Sequence, residues 1–424
     1  MKFIFADARD QVDPEFDFET DESAPGRNAQ YDLYPHELFP VPPYDGVLIS
    51  RGVVGSSLKK GKYSDALAMQ LTRDGARSVL RMNTAKLRSM PIFGDCGAFS
   101  YRDELVPPHT PANTAEFYAD CGFTHGCSPD HIIFEFRKEG DRKPTTDEQQ
   151  RYDITQTNAR AFLRESKHIP EFVPIGVVQG WSPESMATAA KALEKMGYGY
   201  IALGGMVPLD APDILLAVRA IRKQIKASTK IHILGFAKAD ELHMFRGEGL
   251  DSFDSTSPLM RAFQDATRNY YAPKANGGLD YYTAIRIPQA LANNKLKYAV
   301  QEGRVDLELL SDREEVALRN LRAFDQGKMS FEKTAGAVRE YLRLFYTAAL
   351  AKPAEIERRL GAVDKQMERT LGEKPWKACS CEVCRDVGIE VTIFRSSNRN
   401  KRRGFHNLHI YYQHLNKVRN GAPQ

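Results

Sequence analysis

Residues 172–205 read FVPIGVVQGWSPESMATAAKALEKMGYGYIALGG and contain the repeating unit of the fold. Two short apolar runs, FVPIGVVQG at 172–180 and YIALGG at 200–205, flank an amphipathic segment at 183–196. Apolar runs of this length predict buried strands, and the segment between them is long enough for a helix. The stretch therefore predicts a strand, a crossover helix and a second strand parallel to the first.

The same rhythm continues on both sides of this stretch. Further apolar runs are GVLIS at 46–50, PIFGD at 91–95, HIIFEF at 131–136, IHILGFA at 231–237 and SFDS at 252–255. Helical segments lie between them, at 64–81, 149–165, 212–226 and 238–246. About seven strands are too many for a small open sheet, and the glycine-rich phosphate loops of Rossmann and P-loop folds are missing from the sequence. The pattern predicts an α/β fold, a (β/α)8 TIM barrel, over residues 46–264.

The composition changes on either side of the predicted barrel. Residues 1–45 are acidic and then rich in proline and tyrosine, which predicts an irregular N-terminal arm. Residues 265–372 are predicted to be a helical insertion. Within it, 304–325 and 331–371 are rich in Leu, Ala, Glu, Arg and Lys at helical spacing, with few glycines.

Three cysteines and one histidine near the C-terminus have the spacing of a metal site. Cys379, Cys381 and Cys384 form C-x-C-x-x-C, and His406 follows in Gly-Phe-His-Asn-Leu. A Cys3His set suits tetrahedral Zn2+ and leaves no coordination position open, so the predicted zinc is structural. Residues 373–424 are therefore predicted to be a zinc-binding module.

Two features of this module stay open at the level of the sequence. His409, His414 or a carboxylate could take the fourth ligand position in place of His406, and a disulfide plus a free thiol is the alternative to a metal. The segment 405–418, FHNLHIYYQHLNKV, also predicts a helix, which His406 would open.

The composition is that of a soluble globular enzyme. The chain has 424 residues, 42% of them hydrophobic and 27% charged, and no run approaches the ~18–20 apolar residues that span a bilayer. The N-terminal sequence MKFIFADARDQ turns acidic too early for a signal peptide. Six cysteines, three of them in metal spacing, fit a reducing compartment. We expect a cytoplasmic protein without a membrane partner.

The charge distribution allows a local basic surface. The net charge is only +4, but residues 395–403 hold five positive charges in nine residues, beside the predicted metal. This run is interpreted either as a solvated loop or as a contact with a nucleic-acid backbone, from which Lys and Arg would displace counterions.

Polar residues recur where the predicted strands end, the edge at which a TIM barrel carries its catalytic groups. Asp95 and Asp254 each follow apolar or aromatic residues, while Gln179 and the pair Gly204-Gly205 end two other strands. Two carboxylates can supply a nucleophile and a general acid/base, although each aspartate alone could instead cap the following helix. The Gln179 amide needs hydrogen-bond partners, which a purine-like base would supply.

A further carboxylate has two candidate positions. Glu135 lies near the end of the run 131–136 and could instead form a surface ion pair with Arg137 or Lys138. Asp130, at the start of the same run, is the alternative pocket carboxylate.

The order of these motifs resembles the tRNA-guanine transglycosylases. The motifs are Asp-x-Gly-x-Phe, Gly-Val-Val-Gln-Gly, Gly-Tyr-Ile-Ala-Leu-Gly-Gly, Leu-Gly-Phe, Phe-Asp-Ser-Thr-Ser-Pro and Cys-x-Cys-x-x-Cys…His-Asn, within residues 90–260 and 379–415. The resemblance implies a zinc-containing TIM barrel that exchanges guanine for a 7-deazaguanine without breaking the nucleic-acid backbone. The Cys3His residues match the zinc ligands of that family.

The resemblance also implies roles for the residues at the strand ends. Asp254 matches the nucleophile that attacks the sugar C1′ and forms a covalent glycosyl-enzyme. Asp95 matches the general acid/base. Phe99 matches an aromatic residue that stacks on the base, and Leu234 an apolar residue that covers its other face.

The edge of the base would be recognised by a second group of residues. Gln179 and the backbone of Gly204 and Gly205 match the groups that read this edge. Glu135 is the residue we assign to the pocket carboxylate, with Asp130 as the alternative.

Departures from the family pattern fall where nucleic acid would be held. Asp95-Cys-Gly-Ala replaces Asp-Ser-Gly-Gly, and Ser257-Pro-Leu-Met-Arg261-Ala replaces a Thr-Arg-x-(Gly/Ala)-Arg-like run. The helical insertion is also longer. The whole chain is most similar to the DpdA branch, the DNA 7-deazaguanine transglycosylases, which insert 7-cyano-7-deazaguanine (preQ0) into DNA beside modification and restriction functions.

Three functions are therefore weighed. We expect a DNA base-exchange enzyme that rotates guanine out of the duplex, with the insertion and the run 395–403 holding the opened strand. The alternative is a tRNA-guanine transglycosylase of the ordinary type. A non-catalytic binding subunit is a third, which the presence of Asp254 disfavours. Helper proteins and a homodimer are allowed by analogy.

Overall fold

Eight parallel strands close into a barrel in which the first strand pairs with the eighth. The computed structural model describes residues 1–55, 62–138, 143–236, 238–275, 277–290, 294–349, 352–395 and 397–421. The barrel strands are β1 (Lys2–Ala6), β2 (Gly46–Ser50), β3 (Ile92–Asp95), β4 (His125–Cys127), β5 (Val173–Val178), β6 (Tyr200–Leu203), β7 (Lys230–Ile233) and β8 (Ser252–Ser255). They neighbour one another in chain order, so the predicted (β/α)8 fold class is confirmed.

The remaining elements are helices and two small strand pairs. The helices are α1 (Pro35–Leu38), α2 (Asp65–Asp74), α3 (Ala76–Val79), α4 (Pro111–Asp120), α5 (Thr146–Glu165), α6 (Pro183–Met196), α7 (Ala211–Arg222), α8 (Ser257–Gln264), α9 (Asn294–Gln301), α10 (Leu307–Asp325), α11 (Phe331–Ala348), α12 (Pro353–Glu373), α13 (Pro375–Ala378), α14 (Glu382–Val387) and α15 (Ser397–Arg419). The strands β9 (Tyr270–Pro273) and β10 (Leu279–Tyr282) pair antiparallel, and β11 (Ile285–Arg286) and β12 (Ile393–Phe394) pair parallel.

The chain divides into two compact units. Unit 1 contains Met1–Asp10, Tyr44–Ser257 and the end of α15 from Leu415, and it includes the whole barrel. Unit 2 contains Gln11–Pro43 and Pro258–His414. No helix within the described ranges is both long and apolar enough to cross a membrane.

The start of the chain corrects the predicted N-terminal arm. Residues 1–45 were expected to be irregular, but Lys2–Ala6 is β1, with Phe3 and Ile4 fully buried. Ile4 is in register with Gly46 on one side and with Asp254 on the other. A strand between two parallel neighbours needs only a short apolar run, and this run is easily overlooked because acidic residues follow it.

The fourth strand is also displaced from its predicted position. The run 131–136 is not a strand, because β4 is the preceding segment His125–Cys127. Its sequence, His-Gly-Cys, carries no apolar run. A Cβ at Gly126 would lie 2.4 Å from the Tyr118 ring, so glycine allows that ring to pack against the strand. The backbone of the run 131–136 instead bonds to side chains, as when the Ile133 amide donates to Gln179 Oε1.

Most predicted helical segments of unit 1 are helices, and their starts have capping residues. Thr145 and Glu148 form a reciprocal capping box at α5, and Ser182 caps α6, which has Pro183 at its first position. The segment 238–246 is instead a 3-10 helix, Ala239–Phe245, and Ala237, the end of the run IHILGFA, lies outside the described residues.

Within the described residues, the predicted helical insertion is helical only from Asn294 onward. α10 packs against α11, and α11 packs against α12. Before them, however, the segment 265–372 contains β9, β10 and β11. The predicted helix 331–371 is divided into α11 and α12, and Pro353 takes the first position of α12, where a missing backbone N–H costs nothing.

The basic run at 395–403 is neither a solvated loop nor an open phosphate-binding surface, so both predictions for it are wrong. From Ser397 onward it is the first part of α15, and Ser396 lies outside the described residues. The side chains of Arg399, Arg402 and Arg403 are buried. His406 consequently lies in the middle of α15 and does not open a helix.

The acidic N-terminal segment neutralises this run within unit 2. Asp21 forms ion pairs with both Arg395 and Arg399. Arg402 donates to the carbonyl oxygen of Asp13 at 3.0 Å. Burying a guanidinium is unfavourable unless carboxylates or carbonyls satisfy it, and the N-terminal segment supplies both. These arginines therefore hold unit 2 together.

Candidate active site and metal centre

A cavity of about 120 Å3 lies at the C-terminal ends of the barrel strands. Its lining includes residues predicted from the sequence, namely Asp95, Phe99, Gln179, Gly204, Gly205, Leu234 and Asp254. A larger open groove of about 880 Å3 lies along residues 106–111 and 143–158, but Asp153 is the sole carboxylate among its described lining residues. The convergence of several carboxylates marks the smaller cavity as the candidate active site.

Asp254, on β8, presents one bonded and one free carboxylate oxygen. Its Oδ1 accepts hydrogen bonds from the backbone N–H of Gly235 at 3.0 Å and from His232 Nε2 at 3.1 Å. No described residue hydrogen-bonds to Oδ2, although the residue as a whole is only 7% exposed. A carboxylate held through one oxygen, with the other available, can act as a nucleophile.

Asp95, at the end of β3, is a buried carboxyl group with a shifted pKa. Its Oδ2 accepts from Ser50 Oγ at 2.7 Å and from the Gly97 N–H at 3.1 Å. Burial raises the pKa of Asp95 above its ordinary value, the Ser50 hydrogen bond opposes this shift, and the nearby Asp254 adds to it. Asp95 therefore takes up a proton more readily than an ordinary aspartate, as a general acid requires.

Asp130 lines this cavity together with Asp95 and Asp254, whereas Glu135 does not. Asp130 is 2% exposed; its Oδ1 accepts from the Cys96 thiol at 3.0 Å and its Oδ2 from Gln179 Nε2 at 2.6 Å. Burial raises the pKa of Asp130 to about 6. Glu135 is exposed and outside the cavity lining. The reason is that β4 ends at Cys127, which places Asp130, rather than Glu135, just past the strand end.

Gln179 finds its hydrogen-bond partners inside the protein. Its Oε1 accepts from the Ile133 N–H at 3.0 Å, while its Nε2 donates to Asp130. The side chain is 1% exposed. A purine is therefore not needed to satisfy these two bonds, and the amide instead orients the Asp130 carboxylate.

The glycine pair after β6 allows this network to form. A Cβ at position 204 would lie 2.2 Å from Gln179 Nε2, so any side chain at Gly204 would displace the amide. Gly205 has φ +75°, which L-residues rarely adopt, and a Cβ there would lie 2.6 Å from the Ile133 carbonyl oxygen. Both positions require glycine.

The rim of the cavity is aromatic and apolar. Phe99 is 55% exposed, and its ring has the Arg102 guanidinium 4.5 Å from its centroid. Phe134 lies edge-on to it at 6.3 Å, and Leu234 also lines the cavity. Apolar walls combined with Asp130 suit a planar, hydrogen-bonding ligand such as a nucleobase.

The predicted metal ligands converge in unit 2. The ligand atoms of Cys379, Cys381, Cys384 and His406 all lie within 4.8 Å of one another. His406 Nε2 contacts the Tyr271 carbonyl oxygen at 2.7 Å, and its Nδ1 lies 3.7, 3.4 and 3.3 Å from the three sulfur atoms in that order. A tetrahedral site with metal–sulfur and metal–nitrogen bonds of zinc length has sulfur–nitrogen edges of about 3.6 Å. The four residues therefore fit a metal ion.

The alternatives for this cluster are not supported. None of the six cysteines, all of them within the described residues, forms a disulfide. His409 stacks on Phe39 with ring centroids 4.9 Å apart, and the Nδ1 of His414 lies 3.2 Å from the Gly277 carbonyl oxygen. His406 is therefore the histidine of the cluster, held in place by a backbone carbonyl as metal-bound histidines commonly are.

Three residues of the candidate active site were not foreseen from the sequence. Ser50 donates to Asp95, Cys96 to Asp130 and His232 to Asp254. His232 could have been found, because it is a polar residue within the apolar run IHIL. Ser50 and Cys96 are small and common at strand ends, and nothing in the sequence distinguishes them.

Comparison with known proteins agrees with this geometry. No family model matches the chain. A protein of Salmonella montevideo, named DNA-guanine transglycosylase, is 39% identical over 420 residues, covering 98% of this chain and 96% of that protein. Identity at this level along nearly the whole length establishes the family, and with it an enzyme of the glycosyl-transferring type. The chain belongs to the DNA-guanine transglycosylases, a DNA-modifying branch of the guanine transglycosylase superfamily.

Proposed function

We propose that the protein exchanges guanine in DNA for a 7-deazaguanine, preQ0, through a covalent intermediate on Asp254. The observation that carries this proposal is the pair of carboxylates in different surroundings at one cavity, Asp254 hydrogen-bonded through Oδ1 alone and Asp95 with a raised pKa. The name of the Salmonella relative supports DNA guanine as the target.

The reaction follows as two displacements at one carbon. Asp254 attacks C1′ of the sugar while the C1′–N9 bond breaks, and the leaving guanine takes the electron pair and a proton from Asp95. The incoming 7-deazaguanine then returns its N9 proton to Asp95, attacks C1′ and expels the Asp254 carboxylate. Two inversions restore the original configuration, and the DNA backbone stays intact.

Recognition of the base falls to Asp130. Guanine carries adjacent N1–H and N2–H donors, which an ionised carboxylate can accept together. A 7-deazaguanine keeps this edge and differs at position 7, so one pocket can hold both the leaving and the incoming base. Phe99 would stack on the base and Leu234 would cover its other face.

The pH dependence of exchange tests this role. We expect kcat/KM to fall as the pH drops through about 6, the value to which burial raises the pKa of Asp130. Activity falls towards acid because the base is bound by the ionised carboxylate, which is present above this pH and is protonated below it. Asp130→Asn should lower kcat/KM by about 10- to 100-fold, since an unmatched buried donor costs about 1–3 kcal/mol.

Glu135→Gln is the matched control, because Glu135 is an exposed carboxylate outside the cavity. This variant should keep kcat/KM within about twofold of the unmodified enzyme and retain the same acidic limb. Steady-state exchange of radiolabelled base, measured between about pH 5 and 8, gives both quantities. A large loss in Glu135→Gln with little in Asp130→Asn would reverse the assignment.

Backbone phosphates of DNA require cations that are not already paired. In unit 2 a cavity of about 310 Å3 is lined by Arg286, Arg358 and Arg359, with Tyr346 and Phe394 also in its wall and no acidic residue in its described lining. In the described part of the chain, neither Arg286 nor Arg358 has a carboxylate oxygen within 4.0 Å. We propose this cavity, in place of the run 395–403, as a phosphate contact.

Replacing Arg286 and Arg358 by serine should weaken DNA binding and its dependence on salt. Each lost phosphate contact lowers the slope of log K against log salt by about 0.9, so two contacts lower it by about 1.8. Fluorescence anisotropy with a labelled duplex over a salt series measures this slope. Arg339→Ser/Arg343→Ser is the control, because both arginines are paired with Glu357. Equal slopes in the two double variants would refute the contact.

The metal in the Cys3His cluster is proposed to be zinc in a structural role. The cluster contains three thiols and an imidazole, the ligands that zinc prefers, and four ligands complete a tetrahedron. The resemblance also leads us to propose a cytoplasmic enzyme that works with helper proteins of a modification system and forms a homodimer.

The function as a whole is tested by supplying purified full-length protein with radiolabelled preQ0 and either duplex DNA or tRNA. We expect label in DNA, recovered after nuclease digestion as the deoxynucleoside of the 7-deazaguanine. Label in tRNA alone would overturn the proposal in favour of a tRNA-guanine transglycosylase. Label in neither substrate, with folded and metal-loaded protein, would support the binding-subunit alternative.

A further inference from the structure

A chain of hydrogen bonds runs through the barrel interior to Asp254. The Tyr200 hydroxyl and Ser252 Oγ are 2.5 Å apart, Ser252 Oγ and His232 Nδ1 are 2.6 Å apart, and His232 Nε2 lies 3.1 Å from Asp254 Oδ1. All four residues are buried, and His232 is fully inaccessible. The strands β6, β7 and β8 contribute these groups, so the closed barrel is what connects them.

The carboxylate of Asp254 sets the direction in which each hydrogen bond of this chain is donated. An ionised Asp254 carboxylate can only accept, so His232 Nε2 carries the hydrogen that it donates. The Nδ1 of a neutral His232 then accepts from the Ser252 hydroxyl, which in turn accepts from Tyr200. Burial raises the pKa of Tyr200 above its ordinary value, so this phenol keeps its proton and remains a donor. Each group donates to the next, and a single tautomer of His232 satisfies the chain.

The arrangement leaves the two oxygens of Asp254 in different situations. His232 and the Gly235 N–H both donate to Oδ1, and no donor from the described chain reaches Oδ2. Hydrogen bonds to the charged form favour that form. Oδ1 is therefore occupied as a fixed anchor, while Oδ2 keeps its lone pairs available on a residue that lines the cavity.

We infer that His232 is a positioning residue that anchors Asp254 through Oδ1 and leaves Oδ2 as the oxygen that attacks the sugar carbon. This inference rests on the proposed covalent mechanism and adds the identity of the attacking oxygen and of the group that orients it. His232 touches neither base nor sugar and acts through Asp254. Ser252 and Tyr200 act through His232 by fixing its tautomer.

The surroundings of His232 contain other groups whose charge bears on this role. Asp95 and His125 are close enough to interact with it electrostatically, and the Phe93 ring lies 5.4 Å away. Burial lowers the pKa of His125 to about 4, so His125 is neutral at the pH of the reaction. The carboxyl groups of Asp254 and Asp95 are the acidic groups that His232 faces.

His232→Phe tests the inference, since it fills the space and removes the donor. We expect the rate of covalent intermediate formation, measured in a single turnover at saturating DNA, to fall about 10- to 100-fold with KM nearly unchanged. The acidic limb of that rate should also move to higher pH, because a carboxylate that has lost a donor takes up a proton more readily. Ser252→Ala should show a smaller loss in the same direction, and His232→Gln, whose amide can donate, should recover part of the rate.

His243→Phe is the control, because His243 is an exposed histidine that takes no part in this chain of hydrogen bonds. A merely structural role for His232 would lower thermal stability in His232→Phe and leave rate and pH profile as in the control, which would overturn the inference. If His232→Phe does not fold, the pH profiles of His232→Gln and Ser252→Ala decide, and profiles identical to that of the unmodified protein refute it. Failure of the covalent mechanism itself gives a different result from failure of this inference, because Asp254→Asn would then still form exchanged product.

Discussion

Asp254→Asn is expected to abolish base exchange, lowering kcat by at least about 10³-fold. The amide has nearly the shape of the carboxylate but lacks the anionic oxygen that would form the bond to C1′. Its nitrogen would also meet the Gly235 N–H or His232 Nε2 if it took the place of Oδ1. The unmodified enzyme, quenched during turnover without added base, should yield a protein–DNA adduct that survives denaturing electrophoresis, and the variant should yield none.

Asp153→Asn provides the matched control for this experiment. Asp153 lines the larger groove of unit 1 and lies outside the candidate active site, so its replacement should leave exchange and adduct formation unchanged. Thermal unfolding and metal content should be the same in both variants. Exchange that persists in Asp254→Asn would show that the nucleophile is another group.

Cys384→Ser is expected to have the largest effect on stability. The substitution removes one of four ligands from a buried cluster, and free energy of metal binding is also free energy of folding when the unfolded chain lacks the site. We expect loss of stoichiometric zinc and destabilisation of unit 2 by more than about 3 kcal/mol. Elemental analysis of the purified protein and calorimetric unfolding, with and without a chelator, measure these two effects.

Cys121→Ser distinguishes loss of the metal from loss of a buried thiol. Cys121 is buried in unit 1 and is not one of the four clustered residues, so this variant should keep its metal whatever it loses in stability. Stoichiometric zinc in Cys384→Ser, or unchanged unfolding after chelation, would contradict a structural metal. Sensitivity to reductant in place of chelator would instead support the disulfide alternative.

The barrel could be predicted because most of its strands are buried on both faces. Such strands need continuous apolar runs, and GVLIS, FVPIGVVQG and YIALGG have them. β4 escaped prediction for the opposite reason. Its His-Gly-Cys sequence is a strand because Gly126 leaves room for the Tyr118 ring, and that ring belongs to a different element, the helix α4.

The part of the candidate active site that lies at the ends of recognisable strands could be predicted from the sequence. Asp95, Gln179 and Asp254 directly follow or end recognisable strands, and they do line one cavity. Because β4 lies earlier in the chain than predicted, Asp130 lines the cavity and Glu135 does not. Their catalytic and binding roles stay predictions until the variants are measured.

Local spacing by itself determined the barrel class, the strand-end carboxylates and the Cys3His cluster, since each of these depends on residues close together in the chain or on a regular repeat. The partner of each buried charged side chain was decided by the tertiary structure alone. Arg399 and Asp21 are far apart in sequence, and each belongs to a segment that looks solvated, yet they form a buried ion pair. His232 and Asp254 likewise become partners only through the pairing of β7 with β8. A charge or a hydrogen-bond donor takes its role from the partner that folding brings to it, and burial, which makes that partner necessary, exists only once the chain has folded.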